Sequence, residues 1–574
     1  MISDSTTPPL KVDERPSRWL DSRWLGGPQP YLWLTALCLL LYLPGMVVIP
    51  PLDRDEARFA QATRQMLETG DYLRIRFQDE ARNKKPAGIY WLQAASVQLF
   101  STPQSTAIWP YRVPSLLGAI AACLITFAFA AALLRGAGLE SEPRATAAIA
   151  AVLLASSLGV VAEAHIAKSD AVLLAAITAA QGALGIAYVR GRGGGAVSPW
   201  VAVVFWAAEI VAIMVKGPPG PALALVTVVA LAIADGGARW VRSLWPMAGV
   251  AAVVLAITPW LVAIQGATGG RFLAESVGAD LLSKIVDAQE SHGAPPFSYL
   301  VLSFATFWPG SLLFVPAMVR CWRRRTRPLE RLLLAWLVPA WVILELVPTK
   351  LPHYVLPLYP ALALIAAQSL ADEPTMFPNI WLHRLDIAVK AVWALVGVAL
   401  AAALVVTPLR FGGQLSIFDL IGVAVLLGLI GVWLRYRPGR RGTSALSVAL
   451  SLAFVVTAAW AVLPGLDRLW LSRSAAALVA QYPPAPGKPL VAVGYSEPSL
   501  VFLLGTNLRL ATPRTAVETL AGGGEVLVSS REDAIFRQAA AAGGLSPEPL
   551  GNVPGIDYSN GQHMVLTLYR VAPG

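Results

Sequence analysis

The run Asp53-Arg54-Asp55-Glu56-Ala57-Arg58-Phe59 sets three carboxylates and two guanidiniums within seven residues, directly after Pro50 and Pro51 end an apolar stretch. Asp53 has the spacing of a helix N-cap, with Glu56 as its capping-box partner at the third helical position. Asp55 in the first turn is favoured by the helix dipole, which is reason enough for a carboxylate there. Its place just outside an apolar run adds a chemical use. A hydroxyl acceptor from one side and a lipid-borne substrate from the other could both reach it, and a carboxylate can take a proton or steady a developing positive charge. Apolar Phe59, Ala62, Met66 and Leu67 then recur at helical spacing, so 55–69 reads as an amphipathic helix lying at a membrane surface.

A second group is Arg82-Asn83-Lys84-Lys85-Pro86-Ala87-Gly88-Ile89-Tyr90-Trp91. Pro86 suits the start of a second helix. The two lysines before it are point charges with several donors each, suited to a phosphate; attraction to anionic headgroups is the plainer use. Glu163-Ala164-His165-Ile166-Ala167-Lys168-Ser169-Asp170 gathers four titratable residues around one turn. Asp170 can cap the helix that follows, but capping needs only one such group, so a second acidic site facing the first is the functional reading. Lys350-Leu351-Pro352-His353-Tyr354 brings further donors to an apolar boundary, where a tyrosine is ordinarily an interfacial belt residue. The stretch 265–296 holds Lys284, a candidate phosphate contact, and Glu290 and His292, two groups that do not by themselves define a metal site.

The chain that must position these groups has 574 residues, 56% hydrophobic and 14% charged. Soluble domains carry about 25% charge, so a water-soluble enzyme and a disordered chain are both excluded. The sequence predicts a mainly α, polytopic membrane protein. Thirteen apolar runs have the length of bilayer-spanning helices, near 31–50, 109–134, 145–162, 170–189, 199–215, 218–235, 241–264, 297–319, 329–347, 354–371, 384–406, 415–434 and 443–463. The net charge of +10 resides largely in arginines of alternate short connections, among them Arg135, Arg190, Arg239, Arg323 and Arg435. That alternation places the N-terminus in the cytoplasm, and it identifies the charge with membrane orientation rather than nucleic-acid binding. Residues 1–30 are then cytoplasmic and 31–463 form the membrane domain, with external loops at 51–108 and 265–296. Residues 464–574, with strands near Leu490–Tyr495, Glu525–Ser530 and Met564–Val571 and helices at 514–521 and 532–542, form a small external α/β domain. Cys38, Cys123 and Cys321 have no paired spacing and read as packing residues. Glu209 and Glu345, inside or near the end of apolar runs, are costly there and favour a transporter.

Asp55-Glu56-Ala57-Arg58-Phe59-Ala60, then Gly70-Asp71 and Lys85-Pro86 before Tyr90-Trp91, resemble the first periplasmic loop of the aminoarabinose transferases, bacterial relatives of the protein O-mannosyltransferases. Asp170, Glu290-Ser291-His292-Gly293 with Pro295-Pro296, and Lys350-Leu351-Pro352-His353-Tyr354 with Pro357 and Pro360 resemble its later motifs, over about 30–370. The resemblance implies a GT-C membrane glycosyltransferase of about 13 transmembrane helices in the bacterial inner membrane, with its site on the periplasmic face. Such enzymes move a sugar with inversion from a polyprenyl-phosphate donor to a lipid or glycan acceptor, here lipid A or lipopolysaccharide. Asp55 and Asp170 match the family's acidic positions and Lys85 its phosphate-holding lysine. Lys284 and Tyr354 fall where family members contact that phosphate, Lys84 can stabilise it by its charge, and Glu56, Arg58, Lys350, His353, Glu290 and His292 are candidate substrate contacts. No cofactor is required, and a divalent cation finds no ligand set in the sequence. Many members have Glu-Lys-Pro-Pro where this chain has Lys84-Lys85-Pro86-Ala87, so a cation replaces a carboxylate. That exchange favours an acidic donor sugar such as a uronic acid over a cationic one. The rival readings are a lipid-linked sugar flippase, with Glu209 and Glu345 as coupling residues, and a ligase transferring whole glycans.

Overall fold

The structure, a computed structural model, describes residues 27–571 except 53, 138–141, 277, 279–292, 372–376, 378 and 437–438. Every predicted apolar run falls on helix. Among the described residues eight helices are long and apolar enough to cross a membrane, and two bent pairs raise this to ten. The shorter α1 (Gln29–Tyr42), α9 (Pro219–Asp235) and the helix Pro328–Leu346 account for the other three runs. The chain is a multi-pass membrane protein.

Three runs are interrupted where the sequence predicts continuous spans. The first helix stops at Tyr42 because Pro44 and Gly45, at φ +83°, turn the chain. Around Ser157, α5 (Pro143–Ser156) and α6 (Leu158–Ala164) meet at 62°. Between Ser298–Thr306 and Gly310–Arg323 the axis swings by 118°. Pro309 lies in that break, and it has no N–H with which to continue a helix.

The centre of the bundle is α4 (Trp109–Ala137) packed on α7 (Asp170–Arg192), beside α8 (Pro199–Lys216). α7 is 83% buried in its apolar part, whereas α10 (Pro246–Ala267) is 11% buried and presents nearly all its surface outward. Two glycines set close approaches that matter below. A Cβ at Gly118 would lie 2.7 Å from the Val172 amide, so glycine lets α4 reach the first turn of α7. A Cβ at Gly88 would lie 2.5 Å from the Met214 carbonyl, so α3 (Gly88–Phe100) can begin against the last turn of α8.

Helix α2 (Asp55–Thr69) does not lie at a surface. Glu56, Gln61, Thr63, Arg64 and Gln65 are buried with its apolar residues, because Arg112, Gln93 and Gln78 partner Glu56, Thr63 and Gln65, and the chain's C-terminal region covers Gln61 and Arg64. The Arg64 guanidinium donates to the carbonyls of Phe502, at 2.6 Å, and Pro103 and Ser105, and Gln61 donates to Thr506 at 2.8 Å. The first loop and the C-terminal region therefore share one end of the bundle. A small ladder, β1 (Arg76–Phe77) with β2 (Glu80–Ala81), lies between α2 and α3.

The C-terminal region is a mixed five-stranded sheet in the order β4-β3-β5-β7-β6. β3 (Leu490–Val493) pairs in parallel with β4 (Arg509–Ala511) and β5 (Glu525–Ser529), and β7 (Gln562–Val571) runs antiparallel to β5 and β6 (Pro547–Asp557). The sequence predicts β3, β5 and β7. It gives no sign of β6, which contains Pro547, Pro549 and Pro554, tolerated because it is an edge strand. Helices pack on both faces, burying Leu500, Val501 and Leu566 on one and Phe536, Ala516 and Val526 on the other.

Candidate functional site

Asp55 and Glu56 are neighbours with opposite surroundings. Glu56 is 1% exposed and forms a two-pronged pair with Arg112, Nε to Oε1 at 2.8 Å and Nη2 to Oε2 at 2.9 Å. The same carboxylate accepts from the Leu52 and Ala167 amides, each at 2.8 Å. Arg112 spends its remaining donors on the carbonyls of Met46, Ile49 and Pro50. One ion pair thus ties the approach to α2 to the turn that leads into α7. The expected Asp53 cap lies outside the described residues; Arg54, φ +62°, precedes the helix without a side-chain cap.

The turn held by Ala167 carries Lys168. Its ammonium lies 3.6 Å from Glu163 Oε1, 3.7 Å from Asp170 Oδ2 and 3.5 Å from His353 Nδ1. Lys216, at the end of α8, pairs with Asp170 Oδ1 and stands over the Tyr354 ring, 5.3 Å from its centroid. His353 completes the group, Nε2 at 3.6 Å from Asp170 and Nδ1 at 3.8 Å from Glu163. Glu163 Oε2 and Asp170 Oδ2 lack a hydrogen-bond donor among the described residues. These two oxygens are the open acceptors of the cluster.

From the first loop, Lys85 and Arg82 both reach over the Phe59 ring. Lys85 Nζ lies 4.9 Å and the Arg82 guanidinium 5.3 Å from the Phe59 ring centroid, and Arg82 also donates to Tyr90 at 3.3 Å. Burial, repulsion from Lys216 and Arg82, and the counter-pull of Asp170 and Asp55 leave the Lys85 ammonium pushed down to about 8. Burial alone would raise the Asp55 carboxyl, but Lys85 first, then Lys168, Arg82 and His353, hold it below its usual range. Lys168 goes the other way: burial lowers it, yet Glu163, Asp170 and Asp55 hold it above an ordinary lysine. Asp55 is therefore a carboxylate and Lys168 a cation at neutral pH, while Lys85 is a cation near its titration point.

The structure thus brings Asp55, Lys85, Asp170, His353 and Tyr354 of the predicted residues to one place. Lys84 is exposed next to Lys85. Arg58, one turn along α2 from Asp55, acts electrostatically on Glu497 of the C-terminal region. Lys350 is diverted: its ammonium donates to the Glu345 and Val347 carbonyls at 2.9 and 2.6 Å, closing the end of the helix Pro328–Leu346. Lys284, Glu290 and His292 lie outside the described residues. Among the described residues no three His, Cys, Asp or Glu side chains could share a metal ion. Sequence reading missed Lys216 as a site residue; a lone lysine at the end of a span reads as an interfacial charge, and only its three-dimensional proximity to Asp170 marks it.

Glu209 and Glu345, the two carboxylates that favoured a transporter, differ. Glu345 accepts from the Leu300 amide at 3.0 Å and from Trp341, so it anchors local structure. Glu209 is buried with neither oxygen hydrogen-bonded among the described residues.

No family model matches the chain. An undecaprenyl phosphate-alpha-4-amino-4-deoxy-L-arabinose arabinosyl transferase of Edwardsiella ictaluri is 27% identical over 348 residues, 58% of this chain and 58% of that protein. The transferase of the same name from Pectobacterium carotovorum subsp. carotovorum is 25% identical over 429 residues, 70% of this chain and 68% of its own. The chain thus spans less than two thirds of the length of the Edwardsiella relative. The crystal structure of ArnT from Cupriavidus metallidurans bound to undecaprenyl phosphate superposes with a TM-score of 0.72 at 19% identity, covering 95% of this chain and 98% of that one. These similarities bear out the resemblance read from the first loop, and the chain has the GT-C fold of the ArnT structure, with the small C-terminal sheet domain in addition to the helices.

Proposed function

We propose that this chain is an inner-membrane glycosyltransferase that moves a sugar, with inversion, from a polyprenyl-phosphate carrier to a lipid A or lipopolysaccharide acceptor on the periplasmic side. The observation that carries the reading is the convergence of Asp55, Lys85, Lys168, Asp170, Lys216 and His353, from five separate stretches of chain, at one end of the helical bundle. Breaking the bond between the sugar and the carrier phosphate leaves negative charge on the phosphate. Lys85, with Arg82 and Lys216 beside it, supplies fixed positive charge where that develops. The carrier being a substrate, its phosphate also holds Lys85 in the ammonium form, because a nearby anion favours the charged lysine.

Asp55 acts on the acceptor side. Its lowered pKa makes it a weak base while the site is empty, since catalytic bases work best near the operating pH. Phosphate binding screens Lys85, the cation that acts most strongly on Asp55, and so raises the carboxyl toward useful basicity. With a phosphate acceptor no proton need be taken, and Asp55 then faces the partial positive charge of the anomeric carbon. The open oxygens of Glu163 and Asp170 suit hydroxyls of the donor sugar. Arg82, Lys84 and Lys85 within four residues support an acidic sugar such as a uronic acid.

The test is mass spectrometry of lipid A and other envelope glycans from cells with and without the protein, followed by transfer assays with undecaprenyl-phosphate-linked galacturonate and aminoarabinose. Loss of one sugar mass in the deletion is the expected result. An unchanged glycan set with carrier-linked sugar accumulating would point to a transporter. Faster transfer of aminoarabinose would remove the acidic-sugar assignment alone.

A further inference from the structure

Asp55 sits at a helix start between two groups of residues. Lys85, Lys168, Arg82 and His353 act on its carboxylate electrostatically, and its neighbour Arg54 reaches the C-terminal domain, its Nη2 donating to the Ser559 carbonyl at 3.3 Å. Ser559 belongs to the turn between β6 and β7, and it meets Glu497, which follows the carboxyl end of β3. In open sheets with parallel strands, ligands bind beyond the carboxyl ends, where connections leave in opposite directions. β3 is such a point, since β4 lies on one side of it and β5 on the other.

The hydrogen bonding there is short of donors. The Ser559 hydroxyl has one proton but lies within reach of two carboxylates, Glu497 Oε1 at 2.6 Å and Asp557 Oδ1. Asp557 is otherwise supplied by the Ser559 amide at 3.1 Å and by Asn560 at 2.7 Å. Glu497 has no such supply. Its Oε2 is buried without a donor among the described residues, and its side chain does not cap the helix Pro498–Leu504 that it precedes. A buried acceptor left without a donor is costly, so the group is complete only when something else donates to it. Burial raises the Glu497 carboxyl, as does Asp557, while Ser559, Arg54 and Arg58 lower it. The aromatic ring of Tyr558, edge-on to Trp470 at 6.3 Å, borders the same turn.

We infer that Glu497, with Arg54 and Arg58 from α2 and the Asp557–Asn560 turn, binds the sugar headgroup of a phosphorylated glycolipid acceptor. Hydroxyls of the headgroup donate to Glu497, and the two guanidiniums face its anionic groups. The site rests on the proposed transferase reading, because Arg54 joins it to Asp55, which that reading assigns to the acceptor. It gives the C-terminal domain a direct part in acceptor choice.

The experiment uses the purified full-length chain in nanodiscs, with two probes measured on the same preparations: undecaprenyl phosphate and bis-phosphorylated lipid A. Glu497→Gln and Arg58→Gln are expected to weaken lipid A binding about tenfold while leaving undecaprenyl phosphate affinity and the melting temperature within twofold and a degree or so of wild type. The two variants lie on different elements, so a folding defect in one does not decide the matter. Unchanged lipid A affinity in both, or equal loss for both probes, would overturn the inference. If wild type binds lipid A in a Glu497-dependent way but not undecaprenyl phosphate, the subsite stands and the transferase reading falls. Binding of neither probe by wild type would overturn both.

Discussion

Asp55 and Glu56 are adjacent and chemically alike within the same helix turn, yet one is closed off and the other left open. Glu56 receives two guanidinium bonds and two amide bonds, and its partner Arg112 is equally saturated by three carbonyls. Such a pair is complete within the protein and has nothing to offer a substrate. Around Asp55, burial and neighbouring cations push the Lys85 ammonium down to about 8, and oxygens of Glu163 and Asp170 lack hydrogen-bond donors among the described residues. Completeness marks a group that holds the fold, and incompleteness marks a group that awaits a ligand. Buried charge by itself separates neither.

Substitutions can break that contrast. Asp55→Asn is expected to lower transfer by about 10²–10⁴-fold with an unchanged melting temperature, measured by product mass spectrometry; transfer at the wild-type rate would move the chemistry elsewhere. Glu56→Gln is expected to do the reverse, costing about 3–5 kcal/mol of stability because Arg112 is left as an uncompensated buried charge. Thermal unfolding in detergent checks it, and a wild-type melting temperature would show that the pair is dispensable.

Lys85→Met should weaken undecaprenyl phosphate binding by about 10–100-fold, the worth of one charged hydrogen bond. The same lysine gives a pH dependence with a definite sign. It is protonated below about 8 in the empty site, so carrier affinity is expected to hold at lower pH and fall as pH rises through about 8. Lys85→Arg should shift that fall to higher pH, because a guanidinium does not titrate there. A flat profile from pH 7 to 9.5 would reject Lys85 as the phosphate contact. Smallest of all, Lys350→Met should cost about 0.5–1 kcal/mol through the loss of its contacts at a helix end, with carrier affinity unchanged.

The spans were legible because bilayer thickness fixes their length, and the interruptions at Pro44-Gly45 and Pro309 could have been read from the same letters. Asp55, Lys85 and Asp170 stood out by type and position. The pairing of Glu56 was not legible because a capping box is a local pattern, whereas its partner Arg112 is 56 residues away. The covered face of α2 was harder still: Gln61 bonds Thr506, 445 residues on, and polar residues on a helix look solvent-facing until a distant domain is placed over them. β6 escaped notice because its prolines argue against a strand unless one knows that it forms an edge.

That covered face also sets what can be exchanged between relatives. Arg64, Gln61 and Gln78 match backbone and side-chain atoms at Phe502, Thr506 and Leu508, so the outer half of α2 and the sheet domain form one matched surface written in two distant stretches of sequence. A chimaera that imports a foreign C-terminal domain must import the α2 face with it. One that keeps the native helix would leave Arg64 without its Phe502 carbonyl and Gln61 without Thr506, about two turns along the helix from Asp55.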